Sequence, residues 1–295
     1  TTITINPAAT LTTGEHHVLI AATAFDDAAG NSYAGIADAT TLSFTVDGTN
    51  PTLSSSNPSD DATGVSVGAD IVLTFSEAVD RESGNIIIKK GSTVIETISV
   101  TDSKITGTGT TTITINPAAT LTTGEHHVLI AATAFDDAAG NSYAGIADAT
   151  TLSFTVDGTN PTLSSSNPSD DATGVSVGAD IVLTFSEAVD RESGNIIIKK
   201  GSTVIETISV TDSKITGTGT TTITINPAAT LTTGEHHVLI AATAFDDAAG
   251  NSYAGIADAT TLSFTVDGTN PTLSSSNPSD DATGVSVGAD IVLTF

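Results

Sequence analysis

Ile71-Val72-Leu73-Thr74-Phe75 sets Ile71, Leu73 and Phe75 on one side of an extended chain and Val72 and Thr74 on the other, because successive strand side chains point to opposite faces. The same period of two returns downstream. Ile113 and Ile115 alternate with Thr112 and Thr114, and Leu152, Phe154 and Val156 alternate with Thr151, Ser153 and Thr155. Four more extended runs, Leu53 to Ser56, Asn85 to Lys89, Thr93 to Val100 and His126 to Thr133, bring the expectation to about seven strands, with Gly, Asn-Pro or Asp-Gly turn signals between them.

About seven short half-buried strands in roughly 106 residues predict an all-β, Ig-like β-sandwich. A barrel or a β-solenoid is the rival, but solenoid rungs repeat every 20 to 30 residues or so. Here Thr1 to Thr110 recurs letter for letter from Thr111, and again from Thr221 as far as Phe295. Turn chemistry clusters at Val46-Asp47-Gly48-Thr49-Asn50-Pro51 and its copies, which marks the linkers. The organisation expected is tandem domains end to end: 1–46 the C-terminal part of an Ig-like repeat, 47–156 and 157–266 complete repeats, and 267–295 the N-terminal part of another. Neither terminal piece holds a whole core, so the expectation is a stretch of a longer array.

The chain carries 34 acidic against 8 basic side chains, a formal charge of -26. A nucleic-acid partner is excluded, since phosphates would be repelled. Cysteine is absent, removing disulfides, thiol nucleophiles and thiolate zinc sites. No run approaches the roughly 18 apolar residues of a membrane span, and no signal peptide opens the sequence. Spacing assembles neither a nucleophile with its base nor two carboxylates framing a cleft, so no enzyme is expected. His126 and His127 fall on opposite strand faces and diverge, which argues against zinc. Gly107-Thr108-Gly109 lacks the context of a phosphate loop.

Asn57-Pro-Ser-Asp-Asp-Ala-Thr-Gly-Val-Ser-Val-Gly-Ala-Asp-Ile-Val-Leu-Thr-Phe-Ser-Glu-Ala-Val79 resembles the opening of the bacterial Ig-like repeat of S-layer proteins, and Ala134-Phe-Asp-Asp-Ala-Ala-Gly-Asn141 is similar to that family's loop before its last strand. The resemblance implies a bacterial surface or secreted protein, often a long tandem-repeat adhesin, filament or motility protein. It implies no particular ligand, because such repeats serve as spacers. The tandem arrangement is also similar to calcium-stiffened extender regions of giant adhesins.

If the strands run in simple up-and-down order, their loops collect at two ends of the sandwich. One end then holds Ser76 to Gly84, with Glu77, Asp80 and Glu82, together with Asp102, Asp136, Asp137, Asn141 and Asp148. The other holds Asp70, with Lys89, Lys90 and Glu125 nearby, beside the exit into Asp157. Stacking repeats would gather Asp70, Glu125, Asp157 and Asn160 with Glu187, Asp190, Glu192, Asp246 and Asp247, and Asn251 is a further candidate ligand. Asp47 and Asn50 open the same linker pattern, and Asp267 and Asn270 close it.

Crowded carboxylates repel unless a cation neutralises them, and calcium suits irregular sets of 6 to 8 oxygen donors. Calcium is therefore the expected cofactor. The alternatives are plain solvation of the acids, or Asx-type capping by Asp136, Asp137 and Asn141 without metal; Lys89 and Lys90 could neutralise part of the next repeat's charge. The function expected is a calcium-stiffened extracellular extender on a bacterial cell surface. Its partners are neighbouring repeats and, in the alternative of a self-assembling filament or layer, other copies of the chain. A carbohydrate-binding module is a weaker alternative, since 4% aromatics and no Trp leave no stacking platform.

Overall fold

A computed structural model describes residues 1–295. The chain is all β and divides into two units, Thr1–Gly158 and Thr159–Phe295. The first unit contains β1 (Gly14–His17), β2 (Ser43–Val46), β3 (Leu53–Asn57), β4 (Ala62–Ser66), β5 (Ile71–Arg81), β6 (Asn85–Lys90), β7 (Thr93–Ser99), β8 (Ile105–Thr106), β9 (Thr110–Ile115), β10 (Gly124–Ile130), β11 (Phe135–Asp136) and β12 (Ser153–Asp157). β1 pairs only with β2. The others form two five-stranded sheets: β4-β12-β10-β6-β7, and β11-β5-β9-β8 with β3 also on β5. The second unit repeats this pattern with β13 (Leu163–Asn167), β14 (Ala172–Val175), β15 (Ile181–Arg191), β16 (Asn195–Lys200), β17 (Thr203–Ser209), β18 (Ile215–Thr216), β19 (Thr220–Ile225), β20 (Gly234–Ile240), β21 (Phe245–Asp246) and β22 (Ser263–Val266), followed by β23 (Ser275–Asn277) and β24 (Val292–Thr294).

The strands do not follow simple up-and-down order. β4 runs parallel to β12, with Phe154 opposite Ala62 and Val156 opposite Val65, so the chain crosses between sheets. Three strands lie outside the seven expected. β4 (Ala-Thr-Gly-Val-Ser) has no alternating apolar run, and β8 and β11 are only two residues long. β5 also runs on to Arg81, which puts Glu77 and Asp80 on a strand instead of in the loop assigned to them. That extension pairs with β11, Phe135 opposite Arg81 and Asp136 opposite Asp80.

Alternation built the core as expected. Ile71 and Leu73 are completely buried and Phe75 is 3% exposed. The Phe75 ring meets Phe135 at 5.4 Å and the edge of Tyr143 at 5.2 Å. Ile113, Ile115, Val128, Leu152, Phe154 and Val156 close the other side. Each such side chain contributes about 1.5–3 kcal/mol by leaving water.

Polar pins hold the crossover in place. Asp61, in the left-handed region at φ 59°, donates its N–H to the Ser153 carbonyl at 2.8 Å. Asp60 Oδ1 accepts from the Ser153 N–H at 2.9 Å, and the Ser153 hydroxyl donates to both Asp60 and Asp61. The paired Asp residues of the Asn57-Pro-Ser-Asp-Asp motif therefore fasten the start of β4 to β12. At the β8–β9 turn, Gly107 sits at φ +99°, and a Cβ there would run into the Thr112 carbonyl; the turn requires glycine.

The repeats supply an internal control for the core. Phe154 is 1% exposed, whereas Phe44, in the identical tetrapeptide of β2, is 41% exposed. Phe154→Ala is expected to destabilise the first unit by about 3–5 kcal/mol and Phe44→Ala by under about 1 kcal/mol. Denaturant unfolding of the two variants of the full chain checks this; equal effects would contradict the burial difference.

Candidate metal centre

Glu77 stands in the alternation phase of Ile71, Leu73, Phe75 and Val79, a core-facing phase, but at the end of the sandwich, where it is only half-buried. The ladder from β5 to β9 breaks between Thr74 and Val79. Ser76 spans the break by donating its N–H to Thr52 O at 2.9 Å and accepting the Thr52 N–H at 3.0 Å, which holds the start of β3 beside Glu77.

Asp137 follows β11 and is 6% exposed. Its Oδ1 accepts from the N–H groups of Ala139 and Asn141, each at 2.8 Å, and its Oδ2 accepts from Asn141 Nδ2 at 2.8 Å. This is an Asx-type closed loop. Asn141 Nδ2 also donates to the backbone carbonyl of Asp47 at 3.2 Å, which draws the linker against the loop. One carboxylate oxygen each from Asp47, Glu77 and Asp137 thereby lies within 4.8 Å of the others, with Ala78, Ala138 and Ala139 lining the concavity.

The trio's electrostatics follow from this geometry. Partial burial, then the charges of Asp47 and Asp137, push the Glu77 carboxyl above its ordinary range. Burial also pushes Asp137 upward, but the hydrogen bonds from Asn141, Ala139 and Gly140 outweigh it and leave Asp137 below its ordinary range. A separation of 4.8 Å is about twice a calcium–oxygen distance of 2.3–2.6 Å, so one cation of that size can touch all three oxygens. Each carboxylate oxygen has more than one lone-pair direction, and Asp137 keeps acceptor capacity beyond its three donors. The donor set is all oxygen, which fits calcium and not a softer metal.

Not every acid named from the sequence joins this trio. Asp80 Oδ1 accepts from the Thr108 hydroxyl at 2.9 Å and stands opposite Asp136 on the ladder. Glu82 is set by its own N–H, which donates to Ala134 O at 3.0 Å. Asn141 positions its neighbours, and its oxygen has no role in the trio. Asp70 lines a separate crevice with residues between Asn57 and Val72; Asn50 lies exposed in the linker. In the second unit, burial and the charges of Glu192, Asp190 and Asp247 raise the Asp246 carboxyl, while Asp247 closes the loop with Ala249 and Asn251 as Asp137 does. Asp267 Oδ1 accepts the Thr269 N–H at 2.8 Å. Asn160 and Asn270 are exposed. By sequence, Asp157, Glu187 and Asp247 repeat Asp47, Glu77 and Asp137.

The basic residues also differ from expectation. Lys90, read as facing the next repeat's acids, turns its ammonium to Thr122 Oγ1 and the Thr123 carbonyl of its own domain. The ion pair that forms is Lys104 with Glu96 at 2.8 Å. Burial raises the Glu96 carboxyl, but Lys104 and the Ala119 N–H together hold it below its ordinary range.

Two pH dependences follow. A carboxyl raised by folding favours the protonated form, so ionised Glu77 costs stability at neutral pH, and that cost disappears as pH falls through its folded pKa. Glu77→Gln is expected to raise the melting temperature at pH 7 in chelator, with the gain vanishing in acid; a lowered melting temperature would contradict the repulsion. Asp148 has the opposite sign. Hydrogen bonds from Thr150 and Thr151 lower it from 3.8 to about 2, so its contribution is present above the ordinary Asp range and is lost as pH falls through that window. Asp148→Asn is expected to remove stability at pH 7 and to lose its effect below about pH 2.

The sequence matches the bacterial Ig-like domain over residues 47–156 and again over 157–266. A search of curated proteins gives no match. Among solved structures the chain is similar to the fibronectin(III)-like modules of Clostridium thermocellum CbhA, at 16% identity and a TM-score of 0.26, covering 73% of this chain and 93% of that one. It is also similar to Drosophila OTK extracellular domains 3–5, at 8% identity and a TM-score of 0.20 over 73% of this chain and 64% of that one. Likeness at this level carries no functional argument. No helix is long and apolar enough to cross a membrane. Two tandem matches on two all-β sandwiches place the chain in the family of bacterial Ig-like domains, structural modules typical of surface and extracellular proteins.

Proposed function

We propose that this chain is an extracellular structural repeat region, a calcium-stiffened extender of a bacterial surface protein of the S-layer-like type. The observation that supports it is the meeting of Asp47, from the linker, with Glu77 and Asp137 of the domain that follows. Without a cation the three charges push the linker away from the sandwich; with one, the same charges become ligands and the linker is held. The residues that would hold calcium are Asp47, Glu77 and Asp137, with water and backbone carbonyls completing its shell. The function is mechanical: a bound ion removes bending freedom from a short Pro-containing linker.

Extracellular modules bind calcium at roughly 10⁻⁴ to 10⁻³ M. At 10 mM calcium one such site therefore adds about 1.4–2.7 kcal/mol to the folded state. The test is thermal unfolding and small-angle scattering of the full chain in 10 mM calcium and in chelator, beside the paired variants Glu77→Gln with Glu187→Gln and Asp137→Asn with Asp247→Asn. Calcium is expected to raise the melting temperature and narrow the distribution of dimensions, and the variants to abolish both effects. An identical melting curve and scattering profile in calcium and chelator would overturn the calcium joint. Scattering mass that grows with concentration would favour a self-assembling filament instead.

A further inference from the structure

His126 is the buried titratable group that the metal centre leaves unused. Its side chain is fully enclosed. Its ring stacks on Phe154 at 6.1 Å with 11° between the planes, and Nδ1 lies 2.9 Å from the Gly124 carbonyl. A carbonyl only accepts, so Nδ1 carries the proton and Nε2 is left with its lone pair. That Nε2 is buried and has no partner. The same constellation recurs at His236, with Nδ1 2.9 Å from Gly234 O, the ring stacked on Phe264 at 6.0 Å, and Nε2 again unpartnered.

Three elements surround the ring, and two of them carry charged groups. Lys90 of β6 lies over the peptide that the ring holds: a Cβ on Gly124 would sit 3.1 Å from Lys90 Cε and 3.4 Å from its Nζ. Glu125 and His127 flank His126 on β10 but point to the other face, where His127 stands opposite Lys89 and Ser153. β12 presents only Phe154 to the ring; its acids are elsewhere, with Asp157 opposite Ser66 and the Asp60–Asp61 pair on Ser153. No carboxylate therefore faces His126 to receive a second proton's charge, and the basic neighbours that act on it are Lys90 and, after it, His127.

Lys90 connects this ring to the exit of the domain. Its ammonium donates to Thr122 Oγ1 and to the Thr123 carbonyl, and Thr123 Oγ1 accepts the N–H of Gly158, in the linker after β12, at 3.0 Å. In the second unit Lys200 holds Thr232 and Thr233, and Thr233 Oγ1 takes the Gly268 N–H at 3.0 Å. We propose that His126 and Lys90 form an acid-sensitive latch on the linker, in which protonation of His126 frees Thr123 from Gly158. A proton can add only at Nε2, where the new N–H has no acceptor and the imidazolium lies beside an ammonium. The relief is for the ring to leave its pocket. That opens the Gly124 end of β10 and withdraws Lys90 from Thr122 and Thr123, so the linker loses its anchor while the central strands remain paired.

The sign is fixed by burial, which, ahead of the Lys90 charge, lowers the His126 pKa. The neutral ring is the folded form, so the latch is fully closed above the ordinary histidine range and opens as pH falls through and below it.

The experiment follows protection of the Gly158 amide against hydrogen exchange in the full chain from pH 8 to pH 5, with chelator present so that calcium plays no part. Protection is expected to fall by up to tenfold per pH unit below the ordinary histidine range, as one proton is taken up. In His126→Phe that acid-dependent loss is expected to disappear. In Thr123→Val, and in Lys90→Met, which deletes the donor to Thr123, protection is expected to be low at every pH. Gly158 protection that ignores pH in the wild type, or that falls identically in Lys90→Met and the wild type, overturns the latch. Neither result bears on the calcium joint, which is read by the response of melting and dimensions to calcium, absent from this experiment.

Discussion

Strand β5 has to be satisfied along both edges at once, and the unit is organised around that requirement. β3 covers one edge of its first half and β11 the same edge of its second, while β9 takes the opposite edge. These partners come from residues 53–57, 135–136 and 110–115, so the strand is completed only when distant parts of the repeat have closed on it. Such closure costs chain entropy before it is rewarded, and the apolar face of β5 supplies the reward through Ile71, Leu73 and Phe75. The other features hang on this one. Glu77 is aimed by the break in the β5–β9 ladder, Asp137 follows the two-residue strand that β5 accepts, and His126 is sealed because both sheets meet over it.

An acidic chain of this kind has to dispose of its charge, and the structure sorts its carboxylates by the donors within reach. Asp60 and Asp61 are absorbed by Ser153, Asp148 by Thr150 and Thr151, and Glu96 by Lys104 and the Ala119 N–H. Hydrogen bonds to the ionised form favour it, which holds Asp148 and Glu96 below their ordinary ranges. Asp47 and Glu77 have no comparable set of donors, and each faces the other and Asp137. Part of the remaining repulsion lies where the linker meets the sandwich, a position at which a cation would alter the freedom of the chain and not merely its charge; another part lies at Asp246, beside Glu192, Asp190 and Asp247.

Much of the fold was legible because burial on a pleated surface writes itself as alternation. Ile71 to Phe75, Ile113 to Ile115 and Leu152 to Val156 all took the expected faces. β4 was not legible, since Ala-Thr-Gly-Val-Ser becomes a strand only by lying parallel to β12 and being pinned by Ser153. Of the candidate site, Asp47, Glu77 and Asp137 were all named from the sequence among many other acids, and Glu77 carried a further signal that sets it apart: a carboxylate in core-facing phase. Nothing local connects Asp47 with Asp137, ninety residues on; only the Asn141 side chain, reaching from one to the other, brings them together. Lys90 was misread for the same reason, because the Thr122 and Thr123 that receive it lie more than thirty residues away.

The repeats separate the two sources of information directly. Gly14–His17 pairs with Ser43–Val46 in the same register as Gly124–His127 with Ser153–Val156, whereas Thr1–Ile5, identical to Thr111–Ile115 of β9, form no strand. Burial does not follow from the letters. His16 and Phe44 stack much as His126 and Phe154 do, yet Phe44 is largely exposed and Phe154 sealed, and His16 turns Nε2 to the Thr12 carbonyl at 2.6 Å while His126 has nothing to turn to. Strand propensity and charge were set by the sequence, since each depends on neighbours along the chain. Enclosure, and with it the perturbed acids, the stranded imidazole and the anchored linker, was decided by β4, β5 and β6 folding over those strands, because desolvation depends on what arrives from elsewhere in the chain.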